Sequence, residues 1–185
     1  QQLQHEFSNY RRILIVAGQQ NHTLELLPII EQFAQKTGAV VVGDLISNLH
    51  ELPQTIRHQD AILACPETEK LEKLRPDLLI TFGKSIISKA LKLYLRKYKP
   101  AAHWHIQPAG HVADTYQSLT RIIRSTPEAF FESINAGNSD TNYSATWSEM
   151  DSKASVFLKN YTSEAELSEL PVVSRILGSL PEKSN

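Results

Sequence analysis

Continuous apolar runs alternate along the chain with segments whose apolar residues recur at helical spacing. The runs are aliphatic and β-branched and show no polar alternation, which is typical of parallel strands that are covered on both faces. Three of them, residues 13–17, 39–42 and 78–82, are clear strand candidates. Residues 102–106 are a fourth candidate, and residues 118–123 are a weaker fifth.

Helices are predicted between these strands. Residues 24–36 carry apolar side chains at helical spacing and are followed by Gly38, a common helix stop. Residues 86–98 give the clearest pattern, with an apolar stripe on one side and a basic side opposite. The stripe consists of Ile87, Leu91, Tyr94, Leu95 and Tyr98, and the basic side of Lys89, Lys92, Arg96 and Lys99. A third helix begins at Pro127 and extends to Ile134.

The repeated order of strand and helix predicts an α/β protein. We expect three layers, α/β/α, around a mostly parallel, doubly wound, Rossmann-like sheet with right-handed crossovers. This domain is expected to span residues 1–137, because the small polar residues of 136–142 are typical of a linker. Residues 147–161 and 170–180 are possible helices, but the segment 138–185 has too little apolar surface for a separate domain.

Composition narrows the function classes. The formal net charge is −1, with 19 basic and 20 acidic side chains, so the balance predicts no general affinity for nucleic acid or for an anionic membrane. The single cysteine, Cys65, excludes an intramolecular disulfide and fits a reducing cytoplasm, where we expect the protein. No signal peptide and no membrane-spanning run are recognised. The chain does not begin with methionine, so we expect a piece of a longer protein.

A candidate anion site follows the third clear strand, at residues 82–85 with the sequence FGKS. A phosphate loop would need a glycine at Leu78, and the glycine fingerprint of a dinucleotide site is missing after the first strand. A turn from strand to helix still presents N–H groups and a positive helix end. Lys84 and Ser85 are therefore candidates for anion binding; the alternative is a tight turn without a ligand.

Polar residues after the second strand are a second candidate. Asp44, Ser47 and Asn48 would lie at the carboxyl end of a strand, where ligands bind in doubly wound folds. They fit a helix cap and a turn equally well.

Two sets of residues suggest other chemistry. His103 and His105 are two apart on a strand and face the same side, so that with His111 they could bind zinc through three nitrogens. The alternative is histidines paired to backbone or water. The basic side of the helix at 86–98 could bind nucleic acid, or it could be a solvated face. No nucleophile-elbow sequence supports a hydrolase.

Several segments together resemble the 2-succinyl-5-enolpyruvyl-6-hydroxy-3-cyclohexene-1-carboxylate synthase (MenD) family. Residues 43–49 are similar to a loop of the family's middle domain, and residues 60–63 to the short helix that follows. The most specific segment is 76–92, which resembles a strand, a glycine turn and a helix with a lysine before a leucine. Residues 170–181 resemble the helix that opens the third domain, so the resemblance covers about residues 10–181.

The resemblance implies a central domain of a thiamine-diphosphate enzyme of menaquinone biosynthesis. Such an enzyme decarboxylates 2-oxoglutarate and adds the succinyl unit to isochorismate. Because the other two domains carry the groups that activate and hold thiamine diphosphate and Mg²⁺, this piece is expected to bind neither and to be inactive alone. We expect the full-length protein to be a homodimer or homotetramer with no nucleic-acid or membrane partner.

One functional residue follows from the resemblance. The family has a lysine, in the helix after the glycine turn, that meets a carboxylate of isochorismate, and Lys89 matches it. Lys89 also lies away from the apolar stripe, free to project towards another domain. Lys84 and Ser85 match no family residue and remain candidates on geometry alone, and no catalytic or metal-binding residue is assigned. The alternatives are a solvated Lys89 and, for the chain, a domain that binds a small carboxylate or pathway product.

Overall fold

The structure, a computed structural model, describes residues 2–21, 25–135, 139–164 and 168–181. They form two compact units, Gln1–Asp151 and Ser152–Asn185. Among the helices within the described residues, none combines the length and the apolar character that are required to span a membrane.

A parallel sheet of six strands forms the centre of the first unit. The strands are β1 (Ile13–Ala17), β2 (Val40–Gly43), β3 (Thr55–Ile56), β4 (Leu78–Phe82), β5 (Ala102–Ile106) and β6 (Arg121–Ile123). Their order in the sheet is β3-β2-β1-β4-β5-β6, and every pairing is parallel. The chain therefore builds outwards from β1 to β3 and then returns to add β4 on the other side of β1. This confirms the predicted α/β class and the doubly wound parallel sheet.

Helices cover both faces of the sheet. The helices of the described residues are α1 (Gln2–Phe7), α2 (Leu26–Thr37), α3 (Gln59–Leu63), α4 (Thr68–Lys73), α5 (Lys89–Lys97), α6 (Pro127–Ser133), α7 (Thr141–Glu164) and α8 (Glu169–Ser179), of which α8 and the C-terminal part of α7 belong to the second unit and not to this covering. A short 3-10 turn at Leu45–Ser47 follows β2.

One face of the sheet carries the main apolar cluster, closed by α1, α2 and α6. Because side chains alternate along a strand, every second residue of β1, β4 and β5 points into it. Members include Ile13, Ile15, Ala17, Leu78, Ile80, Phe82, Trp104 and Ile106 from the strands, with Phe7, Phe33 and Phe131 from the helices. Aromatic edge contacts, such as the 5.7 Å between the ring centres of Phe82 and Phe131, fill the space between sheet and helices.

The opposite face is also buried but carries polar groups. Leu14, Val16 and Leu79 lie on it, and so do Thr81 and His103, which are 4% and 2% exposed. The two faces therefore differ: one is sealed by aromatic packing, and the other must satisfy hydrogen bonds in its interior.

Most predicted elements are confirmed, with one clear error in the helix at 86–98. Helix α5 begins at Lys89, and Ile87, which the helical pattern placed in the buried stripe, is 67% exposed and precedes the helix. The side chain of Ser88 accepts a hydrogen bond from the Leu91 N–H and so starts the helix there. The rest of the stripe is buried as predicted, at Leu91, Tyr94, Leu95 and Tyr98.

The polar segment predicted as a linker ends earlier than expected. Residues 136–138 lie outside the described residues, but Thr141 and Asn142 already belong to α7. The Asp140 carboxylate accepts hydrogen bonds from the N–H groups of Asn142 and Tyr143 at 3.0 and 3.2 Å and so begins the helix. Tyr143 is buried and donates its hydroxyl to the Leu74 carbonyl at 3.1 Å. The domain boundary at residue 137 stays a prediction.

The second unit is helical over its described residues, with the C-terminal part of α7 and the whole of α8. It exposes many large apolar side chains, and Phe157 and Tyr161 stack with ring centres 6.3 Å apart. The exposed set is Val156, Phe157, Tyr161, Leu170, Val172, Val173, Ile176, Leu177 and Leu180.

Candidate functional site

The loops that follow β1 and β4 are joined at the point where the strand order reverses. The Gly18 N–H donates to the Phe82 carbonyl at 2.9 Å, and the Gln19 N–H donates to the Ser85 carbonyl at 3.0 Å. In return, the Lys84 N–H donates to the Gln19 carbonyl at 2.8 Å. This switch point is where doubly wound folds bind ligands.

Two glycines allow this close approach. A Cβ atom on Gly18 would lie 2.0 Å from the Lys84 carbonyl oxygen. Gly83 has a φ of +77°, and a Cβ there would lie 2.9 Å from the Gly18 carbonyl oxygen. Only glycine fits at either position without moving the backbone of the other loop.

The loop after β2 is tied to the same edge. Asn48 donates from Nδ2 to the Gln20 carbonyl at 2.9 Å, and Gln20 donates from Nε2 to the Ser47 carbonyl at 2.8 Å. The Ser47 hydroxyl donates to the Asp44 carbonyl at 2.6 Å. Ser47 and Asn48 thus stabilise a turn, as in the second of the two interpretations that their sequence allowed.

Asp44 uses its carboxylate in another way. One oxygen, Oδ2, accepts hydrogen bonds from the backbone N–H groups of Ile87 and Ser88, the latter at 3.2 Å. The other, Oδ1, accepts from Nε2 of Gln59 at 3.4 Å. The residue is 8% exposed. A protein carboxylate therefore occupies part of the anion-binding position that we predicted at the turn into α5.

A second carboxylate lies at the same place. The Ser88 hydroxyl donates to Oδ1 of Asp60, in α3, at 2.5 Å while it accepts from the Leu91 N–H at 3.0 Å. Residues 87 and 88 are thus held by carboxylates from two different elements. Lys89, the first residue of α5, follows directly and is exposed.

Lys84 and Ser85 are exposed, in the turn before α5. Lys84 lines a cavity of about 620 Å³ at the carboxyl ends of β1, β4 and β5 and at the start of α6. The carbonyl of Ser85 is the group that accepts from Gln19. The cavity is lined by Gln19, Gln20, Asn21, Gly83, Lys84, Ile106, Gln107, Pro108, Ala109, His111, Pro127 and Glu128.

His103 and His105 belong to one hydrogen-bonded network around Thr81. His103 Nε2 and His105 Nδ1 each lie 2.8 Å from the Thr81 hydroxyl oxygen, so the two rings share a face as predicted. Burial lowers the pKa of His103 to about 4 and also lowers the pKa of His105. Both rings are therefore neutral near pH 7.

The hydrogen bonds of Gln107, at one end of this network, determine which ring nitrogen of each histidine carries the proton. Gln107 donates from Nε2 to the carbonyls of Ala109 and His111, so its oxygen faces His105 Nε2 at 3.3 Å. His105 Nε2 must then carry the proton, and its Nδ1 accepts from the Thr81 hydroxyl. His103 Nε2 in turn donates to the Thr81 hydroxyl. The network therefore connects the two histidines, through Gln107, to the loop that lines the cavity.

The zinc alternative finds no support. His111 is exposed and lines the cavity. Within the ranges that the structure describes, no three His, Cys, Asp or Glu side chains are grouped so that they could hold a metal ion. On the basic side of α5, Arg96 is exposed and donates from Nε to the Thr115 carbonyl at 2.9 Å, and the nucleic-acid alternative stays untested.

Sequence reasoning missed the roles of Asp60, Ser88 and Thr81. A Ser before an apolar-periodic run is a recognised helix start, so Ser88 could have been found from its position. The partners of Asp60 and Thr81 lie at least 22 residues away in the chain, and no local pattern reveals such pairs.

Comparisons with known proteins extend these observations. A family model described as "Middle domain of thiamine pyrophosphate" matches residues 1–185. A protein of Flavobacterium johnsoniae named 2-succinyl-5-enolpyruvyl-6-hydroxy-3-cyclohexene-1-carboxylate synthase is 30% identical over 180 residues, which are 96% of this chain and 32% of the relative. The protein of that name from Cytophaga hutchinsonii is 29% identical over 184 residues, 97% of this chain and 32% of the relative.

A shorter match has a higher identity. The protein with the same name from Bacteroides fragilis strain YCH46 is 46% identical over 80 residues, 43% of this chain and 14% of the relative. The resemblance that the sequence motifs suggested is thereby confirmed. Nearly the whole chain matches the first two curated relatives, and it spans about a third of their length.

Proposed function

Because the chain belongs to the family of middle domains of thiamine pyrophosphate enzymes, we propose that it is the central domain of a 2-succinyl-5-enolpyruvyl-6-hydroxy-3-cyclohexene-1-carboxylate synthase. The full-length enzyme would serve menaquinone biosynthesis by decarboxylating 2-oxoglutarate and transferring the succinyl unit to isochorismate. The observation that carries the proposal is the similarity, over nearly the whole chain, to proteins of that name.

Thiamine diphosphate supplies the electron sink for decarboxylation when it is bound with Mg²⁺ in such an enzyme. The described residues of this chain do not fit the cofactor. The N–H groups of Ile87 and Ser88, at the start of α5, are bonded to Asp44, and the described ranges offer no carboxylate cluster for a metal. We therefore assign both groups to other parts of the longer protein and expect no turnover from this chain alone.

The role of this chain in the reaction would be to present Lys89. Its exposed position at the first residue of a helix with an anchored start supports this role. The ammonium group would bind a carboxylate of isochorismate through a charge-assisted hydrogen bond, a contact of about 1.5–3 kcal/mol. Lys84 and Ser85, in the preceding turn, remain second candidates for contact with an anionic substrate.

The test is Lys89→Ala in the full-length enzyme. We expect the KM for isochorismate to rise about 10- to 100-fold, the loss that corresponds to one such contact, and the KM for 2-oxoglutarate to change by less than about twofold. Lys92→Ala, one turn further along α5, is the matched control and should change neither. Equal effects of Lys89→Ala on both substrates would count against the role.

A second candidate function is binding of a small carboxylate or pathway product without catalysis. The cavity beside Lys84, rich in side-chain amides, favours it. Calorimetric titration of the chain with succinate and with 2-oxoglutarate distinguishes the two candidates. Micromolar binding would favour the second one, and no binding would favour the first.

The remaining expectations belong to the same proposal. We place the full-length enzyme in the cytoplasm as a homodimer or homotetramer, with small-molecule substrates and without nucleic-acid or membrane partners. A mobility-shift assay should show no nucleic-acid complex at physiological salt.

A further inference from the structure

The segment between β4 and α5 determines where Lys89 lies. β4 ends at Phe82 and α5 begins at Lys89, so six residues without regular structure set the start and direction of the helix. Such a segment has large conformational freedom unless other elements hold it. Its first half is held by the loop after β1, through the hydrogen bond between the Lys84 N–H and the Gln19 carbonyl.

The second half is held by Asp44, which bonds its backbone, and by Asp60, which accepts from the Ser88 hydroxyl at 2.5 Å. Ile86 is buried and fixes the middle of the segment, but Ile87 is 67% exposed and has no apolar anchor. The path of the chain into Lys89 therefore depends on the polar contacts of Ile87 and Ser88. Oδ2 of Asp44 accepts from both of their N–H groups.

The carboxylate is suited to this task. The partners identified for Asp44 are N–H donors of Ile87, Ser88 and Gln59, and bonds to an ionised acceptor are about twice as strong as neutral ones. The positive end of α5 adds to the stabilisation of a negative charge at this position. Asp44 comes directly after β2, so its hydrogen bonds to Ile87 and Ser88 fix the start of α5 relative to the sheet.

We propose that Asp44 is a positioning residue for the second substrate: it fixes the backbone before Lys89 and so directs the Lys89 ammonium, without touching substrate itself. The inference rests on the proposed function, in which Lys89 binds isochorismate. A displacement of about 1 Å at a substrate-positioning group is enough to lower catalytic efficiency by about two orders of magnitude.

The experiment compares Asp44→Ala, Lys89→Ala and the double variant in the full-length enzyme. Asp44→Ala should raise the KM for isochorismate about tenfold and leave the KM for 2-oxoglutarate within about twofold. If Asp44 acts through Lys89, the double variant should be no worse than Lys89→Ala alone, because the two changes remove the same interaction. Additive effects would overturn the proposal.

Asp44→Asn keeps the shape of the side chain and covers the case in which Asp44→Ala does not fold. Its amide oxygen can still accept from Ile87 and Ser88, but its NH₂ would face the donor Nε2 of Gln59, so the Gln59 amide must turn over to offer its Oε1, which is buried without a partner. We expect a KM for isochorismate between those of the unaltered enzyme and Asp44→Ala. An increase of the KM for 2-oxoglutarate as large as that of the KM for isochorismate would overturn the proposal, because a residue that acts through Lys89 affects isochorismate alone.

Asp140→Ala is the matched control, since the Asp140 carboxylate also accepts from two backbone N–H groups at the start of a helix, α7. It should leave both KM values unchanged. If it raises the KM for isochorismate as Asp44→Ala does, the effect is general destabilisation and the positioning role is wrong.

If Lys89→Ala itself has no effect, the proposed function fails and this inference fails with it. A normal Asp44→Ala beside an impaired Lys89→Ala rejects the positioning role alone.

Discussion

Thr81 and Asp44 show how single polar residues organise the buried parts of this sheet. Thr81 lies on β4 and bonds two histidines of the neighbouring strand, β5. Asp44 joins the end of β2 to the start of α5. In both cases a buried polar group is matched by partners from another element, which avoids the cost of an unsatisfied group.

The neutral histidines predict a dependence of stability on pH. The pKa of His103 is about 4 in the folded protein because of burial, against an ordinary value of 6.5, so the unfolded chain binds more protons between these values. The free energy of unfolding should therefore fall as the pH is lowered from 6.5 to 4, by up to about 3 kcal/mol from this residue. His105, whose pKa burial also lowers, acts in the same direction.

Urea unfolding at pH 7, 5.5 and 4.5 measures this effect, and His103→Gln should have the shallower dependence. Asp77 does not confuse the result. Burial alone would raise its pKa, but hydrogen bonds from Arg12 outweigh burial and lower it below its ordinary 3.8. The stabilisation that the Asp77 carboxylate contributes is therefore lost only below the pH range of these measurements. An identical pH dependence in His103→Gln and in the unaltered chain would contradict the assignment.

At the scale of elements, much of the fold could be predicted from sequence. β1 and β4 are five-residue runs that are apolar except for Thr81, and their burial on both faces is what produces such runs. β3 is only Thr55–Ile56, too short to leave a periodic pattern. The start of α5 was misplaced because Ile87 fits the helical spacing, while the contact that ends the preceding loop comes from Asp44, 43 residues earlier.

The same limit applied to the site. Lys89 was placed on an exposed surface because helical periodicity is a local property, and the structure agrees. An anion was predicted at the turn, but Asp44 was not identified as its source. The order of the strands determines which carboxylate reaches the start of α5, and local patterns do not reveal that order. Sequence patterns fix elements more readily than they fix the neighbours of each element.

The junction of the loops after β1 and β4 gives a test at this scale. Gly18→Ala would place a Cβ 2.0 Å from the Lys84 carbonyl oxygen, so the two loops must separate. We expect a loss of about 2–4 kcal/mol in the free energy of unfolding, measured with urea. Gly178→Ala is the matched control: no atom lies within 4 Å of its added Cβ, and the change should be neutral or favourable by up to about 1 kcal/mol. Similar losses in both variants would contradict the steric explanation.

At the scale of the whole molecule, the first compact unit ends within a helix. Tyr143 and Trp147, from the first turns of α7, are 2% and 0% exposed. Asp151 accepts from the N–H groups of Arg57 and His58 at 3.0 and 2.8 Å. The unit therefore uses residues beyond the polar segment that suggested a boundary at residue 137.

Truncation tests where the domain ends. A chain that ends at residue 151 should unfold cooperatively with nearly the stability of the first unit in the full chain. A chain that ends at residue 140 loses two buried aromatic side chains and should be less stable by at least about 3–5 kcal/mol. Thermal and urea unfolding of the two chains gives the comparison. Equal stability would instead support the boundary at 137.

The place of β4 beside β1 also sets an order of assembly. Ribosomal synthesis delivers β1 and β2 first, and these strands can pair at once, but Gly18 finds its acceptor only when Phe82 has emerged. Asp44 must likewise wait for Ile87. The edge formed by the loops after β1, β2 and β4 is therefore absent from every nascent intermediate that ends before Ile87. Formation of that edge reports that the central strands have closed in their native order.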